Sequence, residues 1–191
     1  MVMKTLIVAT SNPGKLLEMQ GYLTGLECEL RLKPTTLEIE ETGTTFRANA
    51  CLKASQVAQG LGQWAIADDS GLEVKALNGA PGLYSARYGP SDLARIERLL
   101  QELGPSPERT AQFVCAIAIA RPDGTIAAES EGICVGEILY QAQGQGGFGY
   151  DPIFYVPEVG QTFAEMSPEM KHHISHRGRA FAKLLTQWPR G

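Results

Sequence analysis

The sequence predicts an α/β protein with a mixed central sheet, helices on its faces, and two lobes with the active-site cleft between them. Three observations carry this. Strand and helix patterns alternate through the first part of the chain, which favours parallel pairing through helical crossovers. Two long apolar strands, Gln112 to Arg121 and Thr125 to Ile138, are separated only by Pro122-Asp123-Gly124, so they form a hairpin and are antiparallel. The length, 191 residues, suits one domain of at most two small lobes. A chain of that size buries about 70% of its unfolded surface. Ligands of such sheets often sit beyond the carboxyl ends of strands.

The elements follow in order. Thr5 to Thr10 reads as a strand, an apolar run ending in small polar residues. Ser11-Asn12-Pro13-Gly14 turns into a helix, with Asn12 as N-cap and Pro13 in the first turn. That helix carries Leu16, Leu17, Met19, Tyr22 and Leu23 and stops near Gly25. Residues 27 to 32 and 36 to 40 look extended. Thr44 or Thr45 opens a second helix that runs to about Leu61, with Phe46, Ala50, Val57 and Ala58 on its buried side. Trp64 to Ala67 is a short buried strand ending in a turn at Asp68-Asp69-Ser70-Gly71, and Leu72 to Ala76 extends again. Asn78 to Pro90 is a loop, and Ser91 caps a helix through about Leu103. Beyond the hairpin, Gln143 to Tyr150 is a Gly-rich loop, and a last helix runs from about Ser175 to Trp188.

Composition narrows the function. Formal net charge is -4, from 17 basic and 21 acidic residues, which argues against a nucleic-acid-coating protein. A small phosphorylated substrate needs only a local basic cluster and a metal. The most apolar run, Phe113 to Ala120, falls far short of a membrane span of about 20 residues. Leu6-Ile7-Val8-Ala9 is too short for a secretory core. Cys28, Cys51, Cys115 and Cys134 are irregularly spaced with no Cys-x-x-Cys pair. They are expected to be reduced and mostly buried, in a cytoplasmic protein.

Five segments could carry chemistry. Thr10-Ser11-Asn12-Pro13-Gly14-Lys15 follows a strand and opens a helix, where free backbone N–H groups and a Lys favour an anion. It lacks the glycines and the Gly-Lys-Ser/Thr ending of a Walker A loop. Asp68 and Asp69 outline a hard-cation site, since Mg²⁺ takes one or two carboxylates plus waters and phosphate oxygens. The same residues could equally make a turn bonded to its own backbone. Glu40 and Glu41 add acidic groups nearby in sequence. Asn49 and Lys53, four apart on a helix, share a face and could hold a phosphate. In Gly146-Gly147-Phe148-Gly149-Tyr150-Asp151-Pro152, glycines allow close backbone approach, and Phe148 and Tyr150 could stack on a base. Lys171 and Ser175-His176-Arg177-Gly178 offer hydrogen-bond donors to carbonyl oxygens or phosphate. His172 and His176 are spaced like a metal pair, but no convincing third zinc ligand accompanies them. Together these segments converge on a nucleotide.

The chain resembles the inosine triphosphate pyrophosphatase family, the Ham1-like pyrophosphatases of non-canonical purine nucleotides. The resemblance rests on Thr10 to Lys15, Glu41-Thr42-Gly43 with Thr45-Phe46 and Asn49-Ala50, Leu52-Lys53-Ala54, Ala67 to Leu72, Gly79-Ala80-Pro81-Gly82, Tyr84 to Arg87, Gly146 to Phe154, and Ile174 to Gly178. It covers nearly the whole chain as one two-lobed domain, residues 1–191. It implies a homodimer that hydrolyses ITP, dITP and XTP to monophosphate and pyrophosphate with Mg²⁺. By motif, Thr10 to Lys15 matches the phosphate loop, and Asp69 the proton acceptor and metal ligand, with Asp68 beside it. Glu40 or Glu41 matches an acidic metal position. Ser70, Phe148, Gly149, Tyr150, Asp151, Lys171, His176 and Arg177 match substrate-binding positions, and Lys53 would join Lys15 on the triphosphate. Two rivals are a Maf-like pyrophosphatase of other modified nucleotides and a nucleotide-binding module without catalysis.

Overall fold

The computed structural model describes residues 5–10, 13–26 and 28–188. Seven strands, β1 (Thr5–Val8), β2 (Glu29–Leu32), β3 (Ala65–Val74), β4 (Thr110–Ala120), β5 (Ile126–Ile138), β6 (Phe154–Val156) and β7 (Gln161–Thr162), form one sheet. Their order is β2-β1-β3-β4-β5-β6-β7. β1 pairs parallel with β2 and β3, whereas β6 pairs antiparallel with β5 and β7. The sheet is therefore mixed, as the sequence predicts. β4 and β5 are neighbours joined by a tight turn closed by Arg121 N–H on Thr125 O (2.8 Å). So short a link permits only antiparallel strands.

The helices are α1 (Pro13–Tyr22), α2 (Phe46–Leu61), α3 (Asp92–Leu103), α4 (Pro168–Ile174) and α5 (His176–Thr186). Local capping sets their ends. The Thr45 side chain accepts Ala48 N–H, and Gly62 closes α2 in the left-handed conformation, φ 61°. Ser91 caps α3 through Ala94 N–H (3.2 Å). The predicted N-cap of α1, Asn12, lies outside the described residues, as does Ser11.

Two predictions of local structure fail and one helix goes unpredicted. Residues 36–40 form no strand, because nothing pairs with them in the sheet. The last helix, α5, lies where the sequence places it, but a further helix precedes it: α4 begins at Ser167, whose side chain accepts Met170 N–H, and the chain breaks at Ser175 (ψ 158°) before α5. A Cβ at Gly178 would overlap His172 O, so only glycine lets α5 start so close to α4. The Asp68-Asp69-Ser70-Gly71 turn does not exist either, for β3 runs unbroken from Ala65 to Val74. Aspartate favours turns when its side chain bonds its own backbone. Here both carboxylates bind lysines instead, and the backbone stays in the ladder.

By packing the chain divides into two compact units, Met1–Asp69 with Cys115–Gly132 and Ala180–Gly191, and Ser70–Val114 with Ile133–Arg179. The first has a core of Leu6, Val8, Met19, Ile66, Ile117 and Leu184, with Tyr22 stacked on Phe181 at 4.6 Å. The second is built on Leu72, Leu99, Phe113, Ile138, Phe154 and Phe163. Among the described residues no helix is long and apolar enough to cross a membrane.

All four cysteines are free thiols; Cys115 and Cys134 are buried, Cys28 and Cys51 half-buried. Burial pushes the Cys51 and Cys134 thiols up to about 11, and the Glu129 carboxylate beside Cys51 adds to the effect there. The thiolate is the reactive form. Native protein is therefore expected to resist iodoacetamide at pH 7.5 at both positions, whereas protein unfolded in guanidinium labels at all four. Peptide mass mapping reads the difference, and rapid native labelling of Cys51 would contradict the assignment.

Candidate active site

Each unit gathers one group of polar side chains. In the first, β3 and α2 supply most of it. Asp69 lies on β3, and Asn49 and Lys53 project from one face of α2, as their spacing predicts. Asn49 does not stand open for phosphate. Its amide nitrogen donates to Asp69 Oδ2 (3.0 Å) and its oxygen accepts Gly43 N–H (2.7 Å). Both ends of the amide are thus satisfied and its orientation is fixed. Lys53 Nζ lies 2.6 Å from Glu41 Oε1 and 3.3 Å from Asp69 Oδ1. Lys15 Nζ lies 2.9 Å from Asp68 Oδ2. Two ammonium groups against three carboxylates leave this group with a net negative charge.

Burial makes these charges matter. Lys53 is 8% exposed and Asp69 9%. Burial holds the Asp69 carboxyl above the usual carboxylate range, against the opposing pull of Lys53 and Asn49. Burial would lower the Lys53 ammonium, but Asp69, Asp68 and Glu41 outweigh it and push it up. Lys53 therefore stays charged, because three carboxylates act on it.

Alternate strand residues face opposite ways, so Asp68 and Asp69 part: one meets Lys15, the other Lys53. Glu41, not the exposed Glu40, reaches Lys53 beside Asp69. Among the described residues no three His, Cys, Asp or Glu side chains are arranged to hold an ion alone. An ion taken by Glu41 and Asp69 would draw its other ligands from water and substrate, which is the habit of Mg²⁺. The donor set fits that ion. Thr10 follows β1 and Gly14 lies in the first turn of α1, near Lys15 in sequence.

The second unit holds the rest. Asp151 Oδ2 accepts Phe148 N–H (2.9 Å) and lies 2.7 Å from Lys171 Nζ. The same ammonium sits 5.0 Å from the centre of the Phe148 ring. Arg177 donates to Ser70 Oγ (3.1 Å). His176 is buried, its ring stacked on Phe113 at 4.6 Å and 12°. Tyr150 is no stacking platform. It is 4% exposed, and its hydroxyl donates to Ser85 O (3.0 Å). Only Phe148 of the two aromatics keeps a half-open ring. His172 contacts His173 edge-on, while His176 packs among phenylalanine rings, so they do not form a metal pair. Asp69 and Ser70 are consecutive in β3, so one strand contributes to both groups.

Sequence reasoning assigned no role to Ser85, although it lies in the Tyr84 to Arg87 segment that carries the resemblance; it accepts Leu72 N–H (2.9 Å) and offers its carbonyl to Tyr150. The same reasoning passed over α4, which carries Lys171, although Ser167-Pro168-Glu169 is a recognisable helix start.

Lysines that can face phosphate, beside carboxylates that can face a hard cation, are the equipment of an α/β enzyme of nucleoside phosphates. The chain belongs to the Ham1 family, whose model matches residues 6–187. It is 68% identical to the dITP/XTP pyrophosphatase of Nostoc sp. over 95% of this chain and 93% of that protein. It is 63% identical to the dITP/XTP pyrophosphatase of Synechocystis sp., over 98% and 96%. Among solved structures it is similar to a Ham1 protein from Coxiella burnetii, with TM-score 0.88, 41% identity and 96% and 98% of the two chains covered. The Staphylococcus aureus Ham1 protein gives TM-score 0.85 at 44% identity, covering 96% of each.

Proposed function

We propose that this protein hydrolyses the non-canonical purine nucleotides dITP, XTP and ITP to the monophosphate and pyrophosphate, cleansing the nucleotide pool. The observation that carries this is the buried Asp69 carboxylate, aimed by Asn49 and Lys53 within a chain closely related to dITP/XTP pyrophosphatases. The triphosphate brings about four negative charges, which the segment Thr10, Ser11, Asn12, Pro13, Gly14 and Lys15 and the Lys53 ammonium would meet. Mg²⁺ would be held by Asp69 and Glu41 rather than by the exposed Glu40 or by Asp68, which pairs with Lys15, and would supply charge neutralisation of the phosphates.

Asp69 orients the attacking water and takes its proton. The water oxygen bonds to the α-phosphorus as the bond from that phosphorus to the pyrophosphate oxygen breaks. Lys15 and Lys53 face the charge that develops on the leaving group. Lys171, His176 and Arg177 supply donors toward the 6-oxo group of the base, while Phe148 covers its face and Ser70, Gly149, Tyr150 and Asp151 shape the surroundings. A 6-amino base offers a donor where these residues need an acceptor, and unpaired buried donors discriminate strongly. The protein would act as a cytoplasmic homodimer.

The test is product analysis with dITP, XTP, GTP and ATP in Mg²⁺, with an EDTA control. Monophosphate and pyrophosphate from dITP and XTP, little product from GTP or ATP, and none in EDTA is the expected pattern. Orthophosphate release would move the attack to another phosphorus. A preference for modified pyrimidines, or binding without turnover, would replace this reading with one of its rivals.

A further inference from the structure

We propose that Asp92 is a positioning residue for the Gly-rich loop and that, through Gly149, it sets how sharply the protein discriminates among purine bases. This rests on the reading that the loop receives the base. Asp92 opens α3, outside every segment that the sequence marks for chemistry. Its Oδ2 accepts Gly149 N–H at 2.7 Å. Its Oδ1 accepts Arg95 Nη1 at 2.7 Å, and Arg95 Nε is in turn anchored on Gly89 O at 3.1 Å. Both carboxylate oxygens are therefore fixed before any ligand arrives.

The loop hangs from two carboxylates. Consecutive amides, Phe148 N–H and Gly149 N–H, donate to Asp151 and Asp92 respectively. The Asp151 tie is made inside the loop, and it fits only because residue 147 is glycine, for a Cβ there would overlap Asp151 Oδ2. The Asp92 tie joins the loop to a helix. Gly149 adopts φ +63°, a conformation with freedom to swing once its N–H is released. The Phe148 ring, which faces Lys171 Nζ, lies between the two tied amides in sequence.

Removing the Asp92 acceptor does two things. It frees a backbone donor beside the base-recognition residues, and it lets Phe148 and Gly149 drift from their settings. Both blur the distinction between an acceptor and a donor at the 6-position. The Asp92 side chain is 48% exposed, and exposed charge pairs contribute little to folding. A loss of discrimination without a loss of stability therefore separates positioning from scaffolding.

The experiment compares wild type, Asp92→Ala and Asp92→Asn in the full chain. Steady-state kinetics are measured with dITP, XTP and dATP, and amide exchange of Gly149 is followed by NMR in the free protein. Asp92→Ala is expected to raise KM for dITP about tenfold with kcat changed by less than about twofold. The dITP-to-dATP ratio of kcat/KM should narrow about tenfold, and Gly149 should exchange about tenfold faster, with Tm unchanged. Asp92→Asn keeps an acceptor and should recover most of each effect. An unchanged base ratio, or an unchanged Gly149 exchange rate in Asp92→Ala, overturns the proposal. A wild-type protein inert toward dITP and XTP would instead overturn the proposed function, and the exchange arm would still decide whether Asp92 holds the loop.

Discussion

Asp69→Asn is expected to lower kcat by roughly 10²–10⁴ while KM moves by less than about threefold. The substitution keeps shape and removes the charge and basicity needed to take a proton from water. It leaves the surroundings largely intact, since Asn49 Nδ2 can still donate to the new side-chain oxygen and Lys53 keeps Glu41 at 2.6 Å. Stability should not fall with activity. Burial holds the Asp69 carboxyl above its ordinary range, so at neutral pH its ionised form is less at home in the folded chain than in water. The sign follows directly: a group whose folded pKa is raised favours folding less once pH exceeds its unfolded value. A neutral amide removes that penalty, and Tm should hold or rise. Such a trade of stability for activity is common at reactive sites. Retained kcat would exclude Asp69 as the base, and joint collapse of kcat and Tm would make it a scaffold residue instead. Stopped-flow product assays and thermal melts on the same preparation separate these outcomes.

How much of this arrangement the sequence reveals depends on how local its causes are. The starts of α2 and α3 are legible because Thr45 and Ser91 act within three residues of themselves. The β4–β5 hairpin is legible because its turn residues sit between two apolar runs. β3 is misread because its Asp-Asp-Ser-Gly stretch is turn chemistry taken alone, and its straightening depends on Lys15 and Lys53, which arrive from distant helices. β6 and β7 are too short to leave a periodic signal, and they exist by pairing with β5 and with each other. The candidate site behaves likewise. The pairing of Asn49 with Lys53 on one face of α2 is readable from spacing, yet their common target, Asp69, is not. Tyr150 looks from sequence like a base-stacking ring, but only the folded chain shows its hydroxyl on Ser85 O.

Lys53→Met should cost both folding and catalysis, in a way that reports on the carboxylates it leaves behind. Lys53 is nearly buried, and its ammonium is the shared partner of Glu41 and Asp69. Methionine fills much the same space, so packing is conserved while the charge is lost. Two carboxylates would then face a poorly solvated site without their counter-charge. Breaking a buried pair from one side costs about 3–5 kcal/mol. The loss should depend on pH with a definite sign. Without the ammonium, the Asp69 carboxyl, already held above its unfolded value by burial, is driven further up, so it binds a proton more readily folded than unfolded. Stability of the variant relative to wild type should therefore recover as pH falls from 7.5 to 5, and worsen as it rises. A divalent cation should compensate as well, because it can neutralise the same two oxygens that the ammonium did. Millimolar Mg²⁺ is expected to stabilise Lys53→Met more than wild type, which already carries an internal cation there. Urea denaturation at both pH values, with and without Mg²⁺, measures all of this in the absence of substrate. Equal stability of variant and wild type at pH 7.5 would mean that Lys53 is not the counter-ion of these carboxylates. A pH-independent deficit would assign its cost to packing rather than charge.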